Sequence, residues 1–441
     1  MAAKMTTRDK VTLTLLVLMS VFLFADQRIM SAILPELSQE YGVSDIKLGF
    51  IGSAFTLVGA LISIFFGYFA DKISRKQLLL MTVFIGEIPC ILTGIPYFTQ
   101  NIESFVILRL LTGIGIGGIY PISFSLISDY FNEEHRAPAS AWLGIAWAIG
   151  MLLGPALAGY LTNTHGWRIA FILAAAPNFP IAIIFALYAK EPKRGRTEKA
   201  LEDLIEKGMA YKPRIALSDF KVIFSNRTNL WTFLQGIPGT IPWGLLGFWM
   251  ILFFERERGF SKEAATTVFN LLGLGTIIGS IFFAFIGQKL YNKKPKFMPL
   301  LCGTGVLIGV IFPFILVNLN ISNPTGSELI LINALAFVGG FLVAVPAANV
   351  KAILMNVNRP EHRGSVFAVF NITDNLGQGF GPAIGGLLMS TGFLFTMNFS
   401  IFWWIPCGLI FFMVALYITA DRDALTKLME ERAAEMKQSE A

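Results

Sequence analysis

The chain has 441 residues, of which 54% are hydrophobic and only 15% carry a charged side chain. Soluble domains are rarely more than about half apolar, so this composition favours a protein that crosses a lipid bilayer. The net charge of +6 comes from clusters between apolar runs, which argues against a nucleic-acid-binding face. Because the three cysteines and three histidines are scattered, we expect no disulfide framework, metal, cofactor or enzymatic activity.

Twelve apolar runs follow one another along the chain, each long enough for a helix to cross a bilayer about 30 Å thick. They predict an all-α membrane protein with twelve transmembrane helices in two pseudo-symmetric six-helix bundles. The bundles are expected at 1–190 and 227–420, joined by a cytoplasmic linker at 191–226 and followed by a cytoplasmic tail at 421–441. The predicted spans are 11–34, 47–70, 78–98, 104–131, 137–163, 167–190, 227–254, 262–288, 297–318, 328–357, 364–390 and 395–419.

Clusters of lysine and arginine lie on one predicted side of the membrane. They precede the first span and follow the second, sixth and eighth, whereas the connections 35–46, 99–103 and 319–327 hold no lysine or arginine. Basic residues accumulate on the cytoplasmic side of membrane proteins. We therefore expect an integral protein of the plasma (inner) membrane with both termini in the cytoplasm.

Four charged residues of the first half fall inside predicted spans: Asp26 and Arg28 in the first, Glu87 in the third and Arg109 in the fourth. A charged group inside the membrane is costly unless it faces a partner or a wet cavity. Asp26 and Arg28 are two residues apart and cannot face each other, while Arg109 lies at a similar depth to Asp26. We interpret all four as a proton-coupling set, with Asp26 the leading proton-binding site; the alternative is a static buried ion pair.

The second span ends in a short polar loop, Gly67 to Lys76, that contains Asp71, Arg75 and further basic residues. A carboxylate at the end of one helix can meet the positive N-terminal end of another. Such a contact can form in one conformation and break in another. The alternative is an ordinary solvated loop.

The two halves of the chain contain a repeated motif about 227 residues apart. Glu134-His135-Arg136 precedes Gly150, Gly154-Pro155 and Gly159, and Glu361-His362-Arg363 precedes Gly377, Gly381-Pro382 and Gly386. Proline bends a helix, and glycine lets a neighbouring helix approach closely. The repeat indicates one unit written twice, with hinge and packing residues at the same place in each copy.

The eleventh span carries a polar stripe. Asn371, Asp374, Asn375 and Gln378 have the spacing i, i+3, i+4, i+7 and so share one helix face. A polar stripe at mid-membrane faces a cavity or a partner helix. We expect it to line the substrate path; the alternative is a set of hydrogen bonds between helices.

These motifs resemble those of the major facilitator superfamily. The 67–76 loop resembles its signature between the second and third helices, and Arg109 with the glycines that follow resembles its fourth-helix pattern. The resemblance implies two bundles around a central cavity that opens alternately to either side. It also implies a gating set, in which Asp71 and Arg75 form a cytoplasmic latch: Asp71, Arg75, Asp129, Arg136, Gly154, Pro155, Gly381 and Pro382.

Within that superfamily, the segments 26–35, 49–55, 191–195 and 242–244 resemble spinster-like transporters, which move lysophospholipids or sphingoid phosphates. This implies a monomeric secondary transporter in the bilayer that couples protons to an anionic or amphiphilic substrate such as a lysophospholipid. Gln27 stands where that group usually has arginine. The alternatives are an organic anion symporter and an uncoupled facilitator or exchanger. The expected substrate-binding residues are Arg28, Trp243, Asn371, Asp374, Asn375 and Gln378.

Overall fold

The computed structural model describes residues 7–70, 72–130, 133–192, 217–322, 324–359 and 362–440, and these ranges are helical apart from short connections. Eleven helical spans are long and apolar enough to cross a membrane. A further 26-residue helix, Arg363–Leu388, carries the polar stripe and lies where the eleventh of the twelve spans is predicted. The twelve-span, all-α prediction is confirmed.

The first six spans occupy the first half of the chain. The first span continues into a 3-10 turn at Met30–Ala32, and a short helix, Leu34–Tyr41, precedes the second. The sixth span consists of two helices. The six spans are Thr7–Ile29, Asp45–Ala70, Arg75–Thr93, Ile102–Tyr130, Glu133–His165, and Arg168–Ala175 with Asn178–Tyr188.

The second half repeats this order after a short helix, Leu217–Ser225, that lies within the predicted linker. The rest of that linker, 193–216, lies outside the described residues. The last helix runs without a break from the membrane into the predicted tail, which extends the expected span end at 419. Spans seven to twelve are Arg227–Arg258, Lys262–Lys293, Phe297–Gly309 with Ile311–Asn318, Gly326–Val343 with Pro346–Val357, Arg363–Leu388, and Phe393–Phe402 with Trp404–Glu440.

Prolines explain why four spans consist of two helices each. A proline has no N–H, so the carbonyl four residues earlier loses its usual helical donor. The interruptions fall within the four residues before Pro180, Pro313, Pro346 and Pro406, in the sixth, ninth, tenth and twelfth spans respectively. The backbone breaks are therefore encoded in the sequence.

Glycines bring the second and fourth spans into backbone contact. A Cβ built on Gly59 would lie 3.0 Å from the carbonyl oxygen of Gly113, and one on Gly117 would lie 2.3 Å from the oxygen of Gly59. The eighth and tenth spans pack in the same way: a Cβ on Gly275 would meet the oxygen of Phe337 at 2.1 Å. Equivalent helices of the two halves thus use equivalent small-residue contacts.

The repeated glycine–proline motif makes a second equivalent pair of contacts. A Cβ on Gly154 would lie 2.0 Å from the carbonyl oxygen of Ala25 in the first span. In the second half, a Cβ on Gly381 would lie 2.5 Å from the backbone nitrogen of Leu245 in the seventh span. The motif therefore packs the fifth span on the first and the eleventh span on the seventh.

The chain forms two compact units. The first comprises Met1–Pro213 together with Gly247–Asn270 and Pro382–Leu387. Inside this unit Arg256 forms an ion pair with Asp45 at 2.8 Å, Lys262 forms one with Glu36, and the Trp249 indole donates to the carbonyl of Pro382 at 3.0 Å. The second unit comprises Arg214–Leu246, Leu271–Gly381 and Leu388–Ala441. The bundle boundaries expected from the sequence remain a prediction.

Many large apolar side chains along the spans are exposed, including Phe285 and Leu187. In water such a surface would be unfavourable, and extensive exposed apolar surface marks contact with a membrane or a partner. Together with the apolar lengths of the spans, it identifies a multi-pass integral membrane protein.

We expect Gly154→Ala to lower thermal stability in detergent. The added methyl group would clash with the carbonyl of Ala25, and overpacking of this kind typically costs about 1–3 kcal/mol. The matched control is Gly144→Ala in the same helix, because a Cβ there meets nothing within 4 Å. Equal melting temperatures of the two variants would contradict this account of the packing.

Candidate functional site

A buried ion pair joins the first and fourth spans. Arg109 Nη1 donates to Asp26 Oδ1 at 2.7 Å, and the two side chains are 3% and 1% exposed. Asp26 and Arg28 do not pair with each other, and the sequence had indicated Arg109 as the partner of Asp26. Because both charges are removed from water, each one depends on the other for compensation.

Polar and aromatic groups hold the guanidinium of Arg109 in place. Its Nη2 donates to the hydroxyls of Thr112 at 3.0 Å and Thr93 at 3.4 Å. Its carbon lies 4.6 Å from the ring centre of Phe171 and 5.7 Å from that of Phe55. These cation–π and hydrogen-bonding contacts orient the arginine toward the first span.

Glu87 lies in the same polar region but has a neutral partner. Its Oε1 accepts a hydrogen bond from Asn178 Nδ2, which also donates to the backbone carbonyl of Met19 at 3.2 Å. Glu87 and Asn178 are both fully buried. Three oxygens in this region have no hydrogen-bond partner among the described residues: Asp26 Oδ2, Glu87 Oε2 and Asn178 Oδ1.

Sequence reasoning missed Asn178. It begins the second helix of the sixth span, directly after the break made by the prolines at 177 and 180. A lone amide between two prolines inside an apolar run is the signal that would have found it. Buried amides need hydrogen-bond partners, and a charged residue such as Glu87 on another span is the obvious one.

Arg28 is a buried cation without an acidic partner among the described residues. It is 7% exposed, and its Nε donates only to the sulfur of Met151 at 2.9 Å. The guanidinium extends to the seventh span, where a Cβ on Gly247 would lie 2.7 Å from Nη1. A guanidinium has five N–H donors, and a thioether is a weak acceptor, so most of its bonding capacity is unused.

A row of aromatic rings begins one helical turn before Arg28. Phe24 is four residues earlier and so shares its helix face, and its ring centre lies 5.0 Å from that of Tyr120 in the fourth span. Tyr120 in turn stacks on Phe124, with ring centres 5.9 Å apart. Tyr120 and Phe124 are both partly accessible, so the three rings present an apolar surface that begins one helical turn from Arg28.

The polar stripe of the eleventh span lies in the second unit. Asn371 is exposed, and Asp374, Asn375 and Gln378 are half-buried. None of the four side chains hydrogen-bonds to another described residue. A Cβ built on Gly236 of the seventh span would lie 3.0 Å from Asp374 Oδ1. The alternative interpretation as hydrogen bonds between helices therefore lacks the contacts it requires.

The other predicted binding and hinge residues are packing residues in this conformation. Trp243 packs edge-to-face on Trp404, with ring centres 5.4 Å apart, and is half-buried. Pro155 is buried beside Gly154. The carbonyl of Pro382 accepts from Trp249, and a Cβ on Gly49 would lie 2.4 Å from that oxygen.

At the loop after the second span, Arg75 is bound by the start of the linker. Its Nε donates to Glu191 Oε1 at 2.9 Å and its Nη2 to the carbonyl of Pro192 at 2.8 Å. Glu191 also accepts from the hydroxyl of Ser74 and the backbone N–H of Lys76, both at 2.8 Å. Sequence reasoning did not anticipate this partner, although a glutamate at the end of the sixth span was visible. Asp71 and the side chains of Asp129 and Arg136 lie outside the described residues.

Comparison with known proteins agrees with these motifs. The profile of the Major Facilitator Superfamily matches residues 16–332. The cis,cis-muconate transport protein of Acinetobacter baylyi is 26% identical over 377 residues, covering 83% of this chain and 84% of that protein. The sphingosine-1-phosphate transporter of Danio rerio is 22% identical over 447 residues, covering 93% and 84% respectively.

Among solved structures, a bacterial homologue of the human lysosomal transporter Spinster has the same fold. That structure, in an inward-facing and unoccupied conformation, superposes with a TM-score of 0.79 at 19% identity. The superposition covers 95% of this chain and 99% of that one. The resemblance inferred from local motifs is confirmed.

We expect Asp26→Asn to destabilise the folded protein in detergent. The substitution leaves Arg109 as a buried cation without its anion, and breaking such a pair typically costs about 3–5 kcal/mol. The double variant Asp26→Asn/Arg109→Gln removes both charges and should recover part of the loss in melting temperature. A single variant that melts at the wild-type temperature would show that the pair contributes nothing to folding.

We expect the contribution of Glu191 to stability to depend on pH. Burial raises the pKa of Glu191, but hydrogen bonds from Lys76 N–H, Arg75 and Ser74 outweigh it and hold the pKa below its ordinary value of 4.5. A lowered pKa means that the contribution is present above pH 4.5 and is lost as pH falls through the folded-state value. Glu191→Gln should therefore melt below wild type at neutral pH, with the gap closing in acid.

The control for this measurement is Glu103→Gln, at an exposed glutamate that forms an ion pair with Lys47 at 3.7 Å. Its melting temperature should follow that of wild type across the same pH range. A gap for Glu191→Gln that stays constant down to strongly acidic pH would contradict the assignment.

Proposed function

Because this chain belongs to the Major Facilitator Superfamily, we propose that it is a proton-coupled secondary transporter for an organic anion, working by alternating access. Its curated relatives are transporters, and the chain is a transporter rather than an enzyme. The finer parts of the proposal are the anionic substrate, the coupling proton and the orientation with both termini in the cytoplasm.

The anionic substrate is inferred from the contacts of Arg28. An arginine inside a membrane bundle is costly unless something compensates its charge. Asp26, the nearest acid along the helix, is already bound to Arg109, and Met151 is the only acceptor for Arg28 in the described part of the chain. An anionic group of the substrate would supply both the missing charge and the missing acceptors, and a carboxylate or phosphate would fit the guanidinium in bidentate fashion.

The aromatic rings on the Arg28 side of the first span support an organic rather than an inorganic anion. Phe24 lies one helical turn from the cation, and it contacts Tyr120, which stacks on Phe124. The substrates named for the two relatives also combine these features: muconate is an unsaturated dicarboxylate, and sphingosine-1-phosphate joins a phosphate to a long apolar chain. The shared chemistry is an anionic group attached to an apolar body.

Proton coupling is supported by the buried acids. Asp26 and Glu87 lie in the same polar region of the first unit as a single cation, Arg109. In the second unit the unbonded stripe of the eleventh span offers polar contacts along the substrate path. A group that gains a proton in one access state and loses it in the other would link proton movement to substrate movement.

We expect substrate-driven proton entry into liposomes that contain the purified protein and a pH-sensitive dye. The anions to test are benzoate, cis,cis-muconate and lysophosphatidate, added separately. Arg28→Gln should raise the half-saturating concentration about 10- to 100-fold, because a hydrogen bond to a charged group is worth about 1.5–3 kcal/mol. The matched control, Arg422→Gln, removes a half-buried arginine of the last helix that pairs with the neighbouring Asp423, and it should leave transport unchanged.

The outcomes separate the alternatives. Proton entry with lysophosphatidate alone would favour a lipid transporter, and entry with the soluble anions would favour an organic anion symporter. Substrate movement without proton entry would identify an uncoupled facilitator or exchanger. An Arg28→Gln variant with wild-type kinetics would remove Arg28 from the binding site.

A further inference from the structure

The polar region around Asp26 contains two acids and one cation. Asp26 binds Arg109 directly, and both side chains are almost fully buried. Glu87 is also fully buried, and its only hydrogen-bond donor among the described residues is the neutral amide of Asn178. The ion pair is electrically complete without Glu87, so an ionised Glu87 would add an uncompensated negative charge to a dry environment.

Among the described residues, the charged and polar groups that face Glu87 come from the first, fourth and sixth spans and from its own helix. The first span contributes Asp26, which repels a negative Glu87. The fourth span contributes Arg109, whose charge is compensated by Asp26. The sixth span contributes only Asn178. On the third span itself, Cys90 lies one turn away and donates its thiol to the carbonyl of Phe171 at 3.5 Å.

The hydrogen bonding of this region also favours a protonated Glu87. Among the described residues, three buried acceptors here have no donor, namely Glu87 Oε2, Asp26 Oδ2 and Asn178 Oδ1, against one unpaired donor, Arg109 Nε. A proton on Glu87 would turn Oε2 from an unsatisfied acceptor into a donor, in a region that has too many acceptors. It would also bring the summed charge of Asp26, Arg109 and Glu87 to zero.

We propose that Glu87, held by Asn178, carries the coupling proton, and that Asp26 stays ionised as the fixed partner of Arg109. This rests on the proposed transport function and deepens it by assigning the proton to one side chain. In the proton-loaded state the carboxyl of Glu87 holds the proton on one oxygen. When the site opens to the other side, water accepts that proton and the carboxylate is left ionised until it is reloaded.

The first test does not require a substrate. Infrared difference spectra of the full-length protein at neutral pH, wild type minus Glu87→Gln, should show the carbonyl band of a protonated carboxylic acid. Glu103→Gln, at an exposed glutamate, should leave that band unchanged. Asn178→Ala should shift the band without removing it, because the carbonyl oxygen of Glu87 loses its hydrogen-bond donor. Loss of the band in Asp26→Asn but not in Glu87→Gln would overturn the proposal.

The second test measures coupling. In liposomes, Glu87→Gln should keep exchange of labelled benzoate or cis,cis-muconate but lose substrate-driven proton entry, since glutamine mimics the protonated acid permanently. Proton entry that persists in Glu87→Gln would refute the assignment while leaving the transport function intact. If wild type moves neither anion, the transport proposal fails for those substrates, and the infrared test still decides whether Glu87 is protonated.

Discussion

The buried ion pair between Asp26 and Arg109 is the constraint on which the rest of the first bundle depends. Two charges can stay inside an apolar helical bundle only while they compensate each other, so the first and fourth spans must present them at the same depth. Phe171, Thr93 and Thr112 complete the surroundings of the arginine. Once this pair is formed, any further charge in the region is in excess.

The charges that remain beside the Asp26–Arg109 pair belong to Glu87 and Arg28, and they determine what each of these residues can bind. Within the described ranges Glu87 has no cation of its own, whereas Arg28, half a turn after Asp26 on the first span, has no acidic partner. An acid without a cation favours a bound proton, and a cation without an acid favours a bound anion. The first span and its neighbours thus hold an acid that lacks a cation and a cation that lacks an acid, as the proposed transport of a proton with an anion would need.

Close backbone contacts position these groups. Gly154 lets the fifth span lie against the backbone of Ala25, directly beside Asp26, and Gly86 and Gly115 do the same for the third and fourth spans. Helices that touch through glycine have little freedom to rotate, because neither side has a side chain to repack. The glycine motifs therefore matter for the site, although none of these residues contacts a charged group.

The sequence by itself determined the fold and half of the site. Apolar runs of bilayer length, the 227-residue repeat and the loop after the second span sufficed for the architecture, because the membrane permits few ways to satisfy a helical backbone. Asp26, Arg28, Glu87 and Arg109 could be chosen as candidate site residues from the sequence, because a charged side chain inside a span is costly without a function or a partner. Only the tertiary structure decided which residues pair: Glu87 with Asn178, Arg75 with Glu191, and Arg28 with no acid among the residues that the structure describes. Partners on different helices depend on rotation and depth to within an ångström or so, and the spacing of residues along one chain does not contain that information.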